Sequence, residues 1–102
     1  MREAHVFQLG VRAGVLRELI LQARYEFVYA PEYAGTPISL SMPVRREAYL
    51  FAKFPPFFEG LLPEGYQLEA LLRHAKLDRS DYLGQLLQVG RDLVGSVTIL
   101  AP

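Results

Sequence analysis

Three prolines and two glycines fall within residues 54–66, Phe-Pro-Pro-Phe-Phe-Glu-Gly-Leu-Leu-Pro-Glu-Gly-Tyr, so only short elements fit in the middle of the chain. The same stretch carries Phe54, Phe57, Phe58 and Tyr66. Aromatic side chains supply large contact area, and Pro and Gly fix the backbone that presents them. Tyr66 opens a helix whose apolar face points the other way. An aromatic on the polar side of a helix, directly after a rigid turn, suits insertion into another protein.

The chain has 102 residues, 51% of them hydrophobic, which predicts one globular domain over 1–102. A chain of this size buries roughly two-thirds of its unfolded surface. It has no cysteine, hence no disulfide or thiol chemistry, and this fits a reducing cytoplasm. Met1-Arg2-Glu3-Ala4-His5 leads into no long apolar run, so neither a signal peptide nor a membrane span is expected; a span needs roughly 18 apolar residues. Eleven basic residues balance eleven acidic ones, which gives no field for nucleic acid. The one basic pair, Arg45-Arg46, is followed by Glu47 and reads as a solvated loop. Contact with DNA is expected only through a partner.

The first half reads as strands. His5–Leu9 and Val15–Ile20 form a hairpin, with Gly10 and Gly14 bracketing a longer loop. Tyr25-Glu-Phe-Val-Tyr29 alternates strictly, and Tyr25, Phe27 and Tyr29 are expected to form the core face of a sheet. Ile38–Met42 alternates and is closed by Pro43, which predicts a short edge strand. The second half reads as helices. Pro55 suits the first turn of a helix to about Leu61, stopped by Gly60 and Pro63. Tyr66–Lys76 follows, with Leu68, Leu71, Leu72 and Ala75 on one face. Tyr66, Glu69, Arg73 and His74 lie opposite, Glu69 and Arg73 as an i,i+4 pair. A third helix, capped by Asp78, Ser80 or Asp81, buries Leu83, Leu86 and Leu87 and ends at Gly90. The stretch Val94–Leu100 holds a last strand, Ser96–Leu100. The predicted class is α+β: a small antiparallel sheet, N-terminal strands plus a C-terminal one, packed with about three short helices.

No catalytic constellation assembles. Serines stand only at 39, 41, 80 and 96, none in a nucleophile elbow. His5 and His74 lack metal-ligand spacing, and Asp78, Asp81 and Asp92 fit no calcium loop. Gly90-Arg-Asp-Leu-Val-Gly-Ser96 has no lysine and precedes a strand, so it is no phosphate loop. Neither an enzyme nor a cofactor or metal site is expected. Of Phe54, Phe57 and Phe58, at least one must pack under the short helix, which leaves a ring free for a partner.

Four segments in series carry a resemblance. They are Tyr25-Glu-Phe-Val-Tyr-Ala-Pro31, Pro37-Ile-Ser-Leu-Ser-Met-Pro43, Phe57-Phe-Glu-Gly-Leu-Leu-Pro-Glu-Gly65 and Val89-Gly-Arg-Asp-Leu-Val-Gly-Ser-Val97. Their order and spacing are similar to the N-terminal subdomain of HipA-type serine/threonine kinases, the toxins of toxin–antitoxin modules, over about residues 5–100. In that family a kinase core follows this subdomain. Here the chain ends at Pro102, and the kinase residues have no positions to be carried onto.

The resemblance implies either an excised fragment or a natural small subunit of a split system, HipBST, and the Met1 start favours the latter. There a HipS-like subunit neutralises a shortened, HipT-like kinase, and a HipB-like helix-turn-helix protein binds DNA. The expectation is thus a cytoplasmic antitoxin subunit that binds a HipA-like kinase. The residues expected to meet it are Tyr66, Gly65, Glu64, Pro63, Phe57 and Phe58. Tyr66 would fill a pocket near the kinase active site. Alternatively, Tyr66 folds back over its turn as a hydrophobic staple, or the subunit is a passive scaffold that docks the kinase onto the repressor.

Overall fold

The structure, a computed structural model, describes every residue except Val94. One interior strand of its sheet is β3 (Arg24–Tyr29), where alternation places Tyr25, Phe27 and Tyr29 on one face, all buried. On one side β3 pairs with β2 (Val11–Ile20), which pairs with β1 (Glu3–Gln8). On the other side it pairs with β4 (Tyr49–Phe51). The last strand, β5 (Val97–Leu100), returns to lie beside β1. The sheet is antiparallel throughout, in the order β4-β3-β2-β1-β5. Three helices complete the α+β fold: α1 (Pro56–Glu59), α2 (Gly65–Ala75) and α3 (Tyr82–Val89), the last running into a 3₁₀ turn at Gly90–Asp92. The core forms between Ala4, Val6, Leu16, Phe27 and Ile99 of the sheet and Phe58, Leu83 and Leu86 of the helices.

The β1–β2 hairpin is tighter than expected. Leu9 and Gly10, with φ of 50° and 82°, make a two-residue turn. Gly14 lies inside β2 instead of bracketing a loop. A Cβ there would stand 2.3 Å from the Val28 carbonyl oxygen and 2.8 Å from the Phe27 ring, so the strand approaches β3 too closely for a side chain.

The predicted strand over Ile38–Met42 is not formed. This segment makes only an isolated bridge, Ser39 to Met42. Its two ends are held by the Tyr29 hydroxyl, which donates to the Met42 carbonyl and accepts from the Ile38 N–H at 3.1 Å. The edge position belongs to Tyr49–Phe51. The Tyr49 hydroxyl donates to the Pro43 carbonyl, and the Arg45 guanidinium lies 3.7 Å from the Tyr49 ring centre. Arg45 also donates to the carbonyls of Glu47 and Ala48, so it ties its loop together.

The helix faces match their periodicity. None of α2 is fully buried. Leu68, Leu71, Leu72 and Ala75 are half-buried, and Tyr66, Glu69, Arg73 and His74 are exposed. Glu69 does not pair with Arg73. After α2, Lys76 takes a left-handed conformation and the chain reverses, which brings Arg79 to 2.6 Å from Glu69. Of the three candidate caps of α3, Asp81 accepts the Gly84 N–H at 3.1 Å. Leu83 and Leu86 are fully buried, and Leu87 is only half-buried. Gly90 ends α3 as expected but keeps a right-handed φ of −58°. Its lack of a side chain serves contact, since a Cβ would meet the Ile99 carbonyl oxygen at 2.2 Å. Val94, where the stretch expected to hold the last strand begins, lies outside the described residues.

Candidate partner-binding corner

The corner runs from α1 to α2. Pro55 and Pro56 start α1, and Gly60 lets the chain turn away through Leu61 and Leu62. Pro63 and an extended Glu64 (φ −130°, ψ 165°) carry it to Gly65, whose φ of 58° is left-handed. No atom lies within 4 Å of where a Gly65 Cβ would be, so backbone conformation alone calls for glycine there. Tyr66 follows at once on the first turn of α2 and is 96% exposed. The staple reading therefore fails: the ring packs on nothing in its own chain.

Beneath the corner the phenylalanines divide the work. Phe58 is fully buried, 5.7 Å from the Phe27 ring. It is expected from the sequence among the partner-facing residues, but a ring so enclosed leaves no surface for a partner to touch. Phe57 is half-buried and sits edge-on against Phe58 at 5.1 Å. Phe54 is buried between Tyr25 at 5.2 Å and Tyr82 at 5.5 Å. Pro63 is half-buried, and Glu64, Gly65 and Tyr66 are exposed, so these four form the accessible rim.

Two clefts adjoin the corner. One, of about 490 Å³, lies toward α3 and is lined by Glu59, Leu62, Pro63, Leu68, Tyr82 and Gln85 among others. The second, of about 350 Å³, is bounded by Leu61, Gln67, Val89, Asp92 and Leu93. The two clefts share Gly60, Leu62 and Pro63, and Tyr66 lines neither of them.

A second polar feature carries no local sequence signal. The Arg2 guanidinium bridges two carboxylates. It donates to Glu18 at 2.8 and 2.9 Å and to Asp81 at 2.6 and 3.2 Å. Glu18 is only 3% exposed and also accepts the Gln22 N–H at 3.0 Å. Hydrogen bonding to Glu18, then Asp81, raises Arg2 above its usual value, and hydrogen bonding to Arg2 holds Asp81 below its own. Arg17 joins Glu3 and Glu26 in the same way at 2.7 and 2.9 Å. The Arg2 cluster ties the start of β1 to β2 and to the N-cap of α3. His5 is half-buried on β1, and His74 stands exposed on α2. Among the described residues no three His, Cys, Asp or Glu side chains gather to hold a metal, and no helix is long and apolar enough to cross a membrane.

The model of the HipA N-terminal domain family matches residues 4–100, and the chain belongs to that family. In HipA proteins this domain is a non-catalytic part, and the family is associated with toxin–antitoxin modules. The chain superposes on a solved structure described as the N-terminal domain of HipA toxin with a TM-score of 0.77 and 30% identity, covering 100% of this chain and 93% of that one. An uncharacterized protein of Haemophilus influenzae (strain ATCC 51907 / DSM 11121 / KW20 / Rd) is 34% identical over 99 residues, 97% of this chain and 92% of that protein. That relative carries little beyond this one domain.

Proposed function

We propose that this chain is the antitoxin subunit of a split toxin–antitoxin system of the HipBST kind. It binds a HipA-like serine/threonine kinase in the cytoplasm and neutralises it. The observation that carries the reading is Tyr66: a large ring with a hydroxyl, 96% exposed, directly after a turn that Pro63 and Gly65 shape. Such a residue fills a partner pocket and hydrogen-bonds there, the profile of an interface anchor. A free ring of this size gains nothing for its own fold, since exposed apolar surface is stabilised only when something covers it. The Haemophilus influenzae relative supports a domain that works without a kinase core in the same chain.

In this reading Pro63, Glu64 and Gly65 aim Tyr66, and Phe57 lies on the flank of the contact, with Phe58 as its support from inside. Tyr66 enters near the kinase active site and blocks substrate or holds the site open. A HipB-like helix-turn-helix protein completes the assembly and makes the contact with DNA. Co-expression with the kinase tests the assignment. This subunit alone, with no repressor present, restores growth. Growth that returns only when the repressor is also present makes the chain a docking scaffold and contradicts the antitoxin reading.

A further inference from the structure

The cleft between the corner and α3 has an unusual set of polar groups. Its walls are apolar, formed by Leu62, Pro63 and Leu68 with the ring of Tyr82 beside them. Apart from the Tyr82 hydroxyl, its side-chain polar groups look for donors. Glu59 and Glu64 line it as exposed carboxylates, and neither joins an ion pair among the described residues. On the floor Gln85 is 1% exposed. Its Nε2 is committed to the carbonyls of Asp78 and Arg79 at 3.2 and 3.0 Å. No donor among the described residues reaches its Oε1. No polar side-chain atom among the described residues is sealed without a partner, so that oxygen keeps a trace of accessible surface, and Gln85 lines the cleft.

We infer that this cleft seats one long basic side chain, lysine or arginine, from the partner. Both side chains carry donors and no acceptor, and both lay an apolar stem along apolar surface while the charged head stays wet. The stem matches Leu62, Pro63 and Leu68, and the head reaches Glu59, Glu64 and the oxygen of Gln85. The Tyr82 ring adds a face that attracts a cation. An acidic occupant would meet two like charges and a bare oxygen, and a purely aliphatic one would leave Gln85 without its bond. The inference rests on the proposed kinase-binding role, and it adds a second contact to the one made by Tyr66.

The test measures affinity for the cognate HipA-like kinase by calorimetry at low and high salt, using the full chain. Glu59→Gln with Glu64→Gln keeps the shape of both side chains and removes the charge. The double variant melts with the native chain and binds about tenfold or more weaker at low salt, the loss of a hydrogen bond to a charged group. The difference shrinks as salt rises. Glu47→Gln, an exposed carboxylate on the loop before β4, binds as the native chain does. Unchanged affinity and salt dependence in the double variant, with binding lost in Tyr66→Ala, overturns the inference and leaves the kinase-binding role standing. An equal loss in Glu47→Gln also overturns it, because the effect would then be a general field. A native chain that binds no kinase overturns both.

Discussion

Arg2 and Asp81, 79 positions apart in sequence, face each other at 2.6 Å. The same carboxylate accepts the Gly84 N–H and so caps α3. The same guanidinium grips Glu18, which is almost wholly buried. The first residues of the sheet and the start of the last helix are therefore one unit, held by three charges that satisfy each other. Removing a partner from a buried pair leaves a charge in poor solvent, which costs more than the pair itself contributes. Arg2→Met is expected to lower stability by about 2–3 kcal/mol, the lower end for a buried pair because Arg2 is partly exposed. Urea unfolding measures it. A loss under about 0.5 kcal/mol, the range of ordinary surface changes, would show that the cluster holds nothing together.

The same cluster sets an acid limit. Arg2 holds the Asp81 carboxyl below its ordinary value of 3.8. A depressed folded-state value means the contribution is complete above the unfolded value and disappears as pH falls through the folded one. Melting temperature should therefore be level above about pH 5 and drop below about pH 4. Asp81→Asn keeps a capping side chain and removes the charge. It should melt lower at neutral pH and show a shallower drop in acid. Parallel curves for the two proteins between pH 2 and 6 would remove Asp81 from the account.

Two glycines answer different demands, and substitution separates them. At Gly14 a Cβ meets backbone that cannot give way, at 2.3 Å from the Val28 carbonyl oxygen. Gly14→Ala should cost about 3 kcal/mol, the upper range for overpacking, or prevent folding. At Gly65 there is open space, and only the left-handed backbone is at stake. Gly65→Ala should cost about 1–2 kcal/mol and leave the fold intact. Thermal melts of the two variants rank them, and the reverse order would contradict the described packing.

Phe58 and Tyr66, eight positions apart, should respond in opposite ways. Phe58→Ala empties the core beneath α1 and is expected to cost about 3–5 kcal/mol. Tyr66→Ala removes a ring that touches nothing in its own chain and should change stability by no more than about 0.5 kcal/mol. A large drop in melting temperature for Tyr66→Ala would restore the staple reading.

Much of this was legible in the sequence where a period could express itself. The alternation of Tyr25, Phe27 and Tyr29 marked the core strand, and the 100° spacing of α2 put Tyr66 on the wet side. The unread parts depend on distance along the chain or on length. β4 has three residues, too few for alternation to stand out. Ile38–Met42 alternates like a strand, but the Ile38 N–H and the Met42 carbonyl are taken by the hydroxyl of Tyr29, which no local pattern announces. Gly14 resembled a turn residue, and only the nearness of β3 explains it. Arg2, Glu18 and Asp81 lie in three separate segments, and nothing in any one of them points to the others. At the corner, the run of three phenylalanines did not reveal which ring goes inside, because that is decided by where Phe27 stands.

The kinase-binding role depends on Tyr66 as the anchor of the surface. The most direct measurement is the affinity of native and Tyr66→Ala protein for the cognate HipA-like kinase, read together with growth rescue on co-expression. The variant is expected to fold as the native chain does, to lose about thirtyfold or more in affinity, corresponding to about 2 kcal/mol or more, and to no longer rescue growth. A folded Tyr66→Ala protein that binds and neutralises the kinase like the native chain would contradict that role.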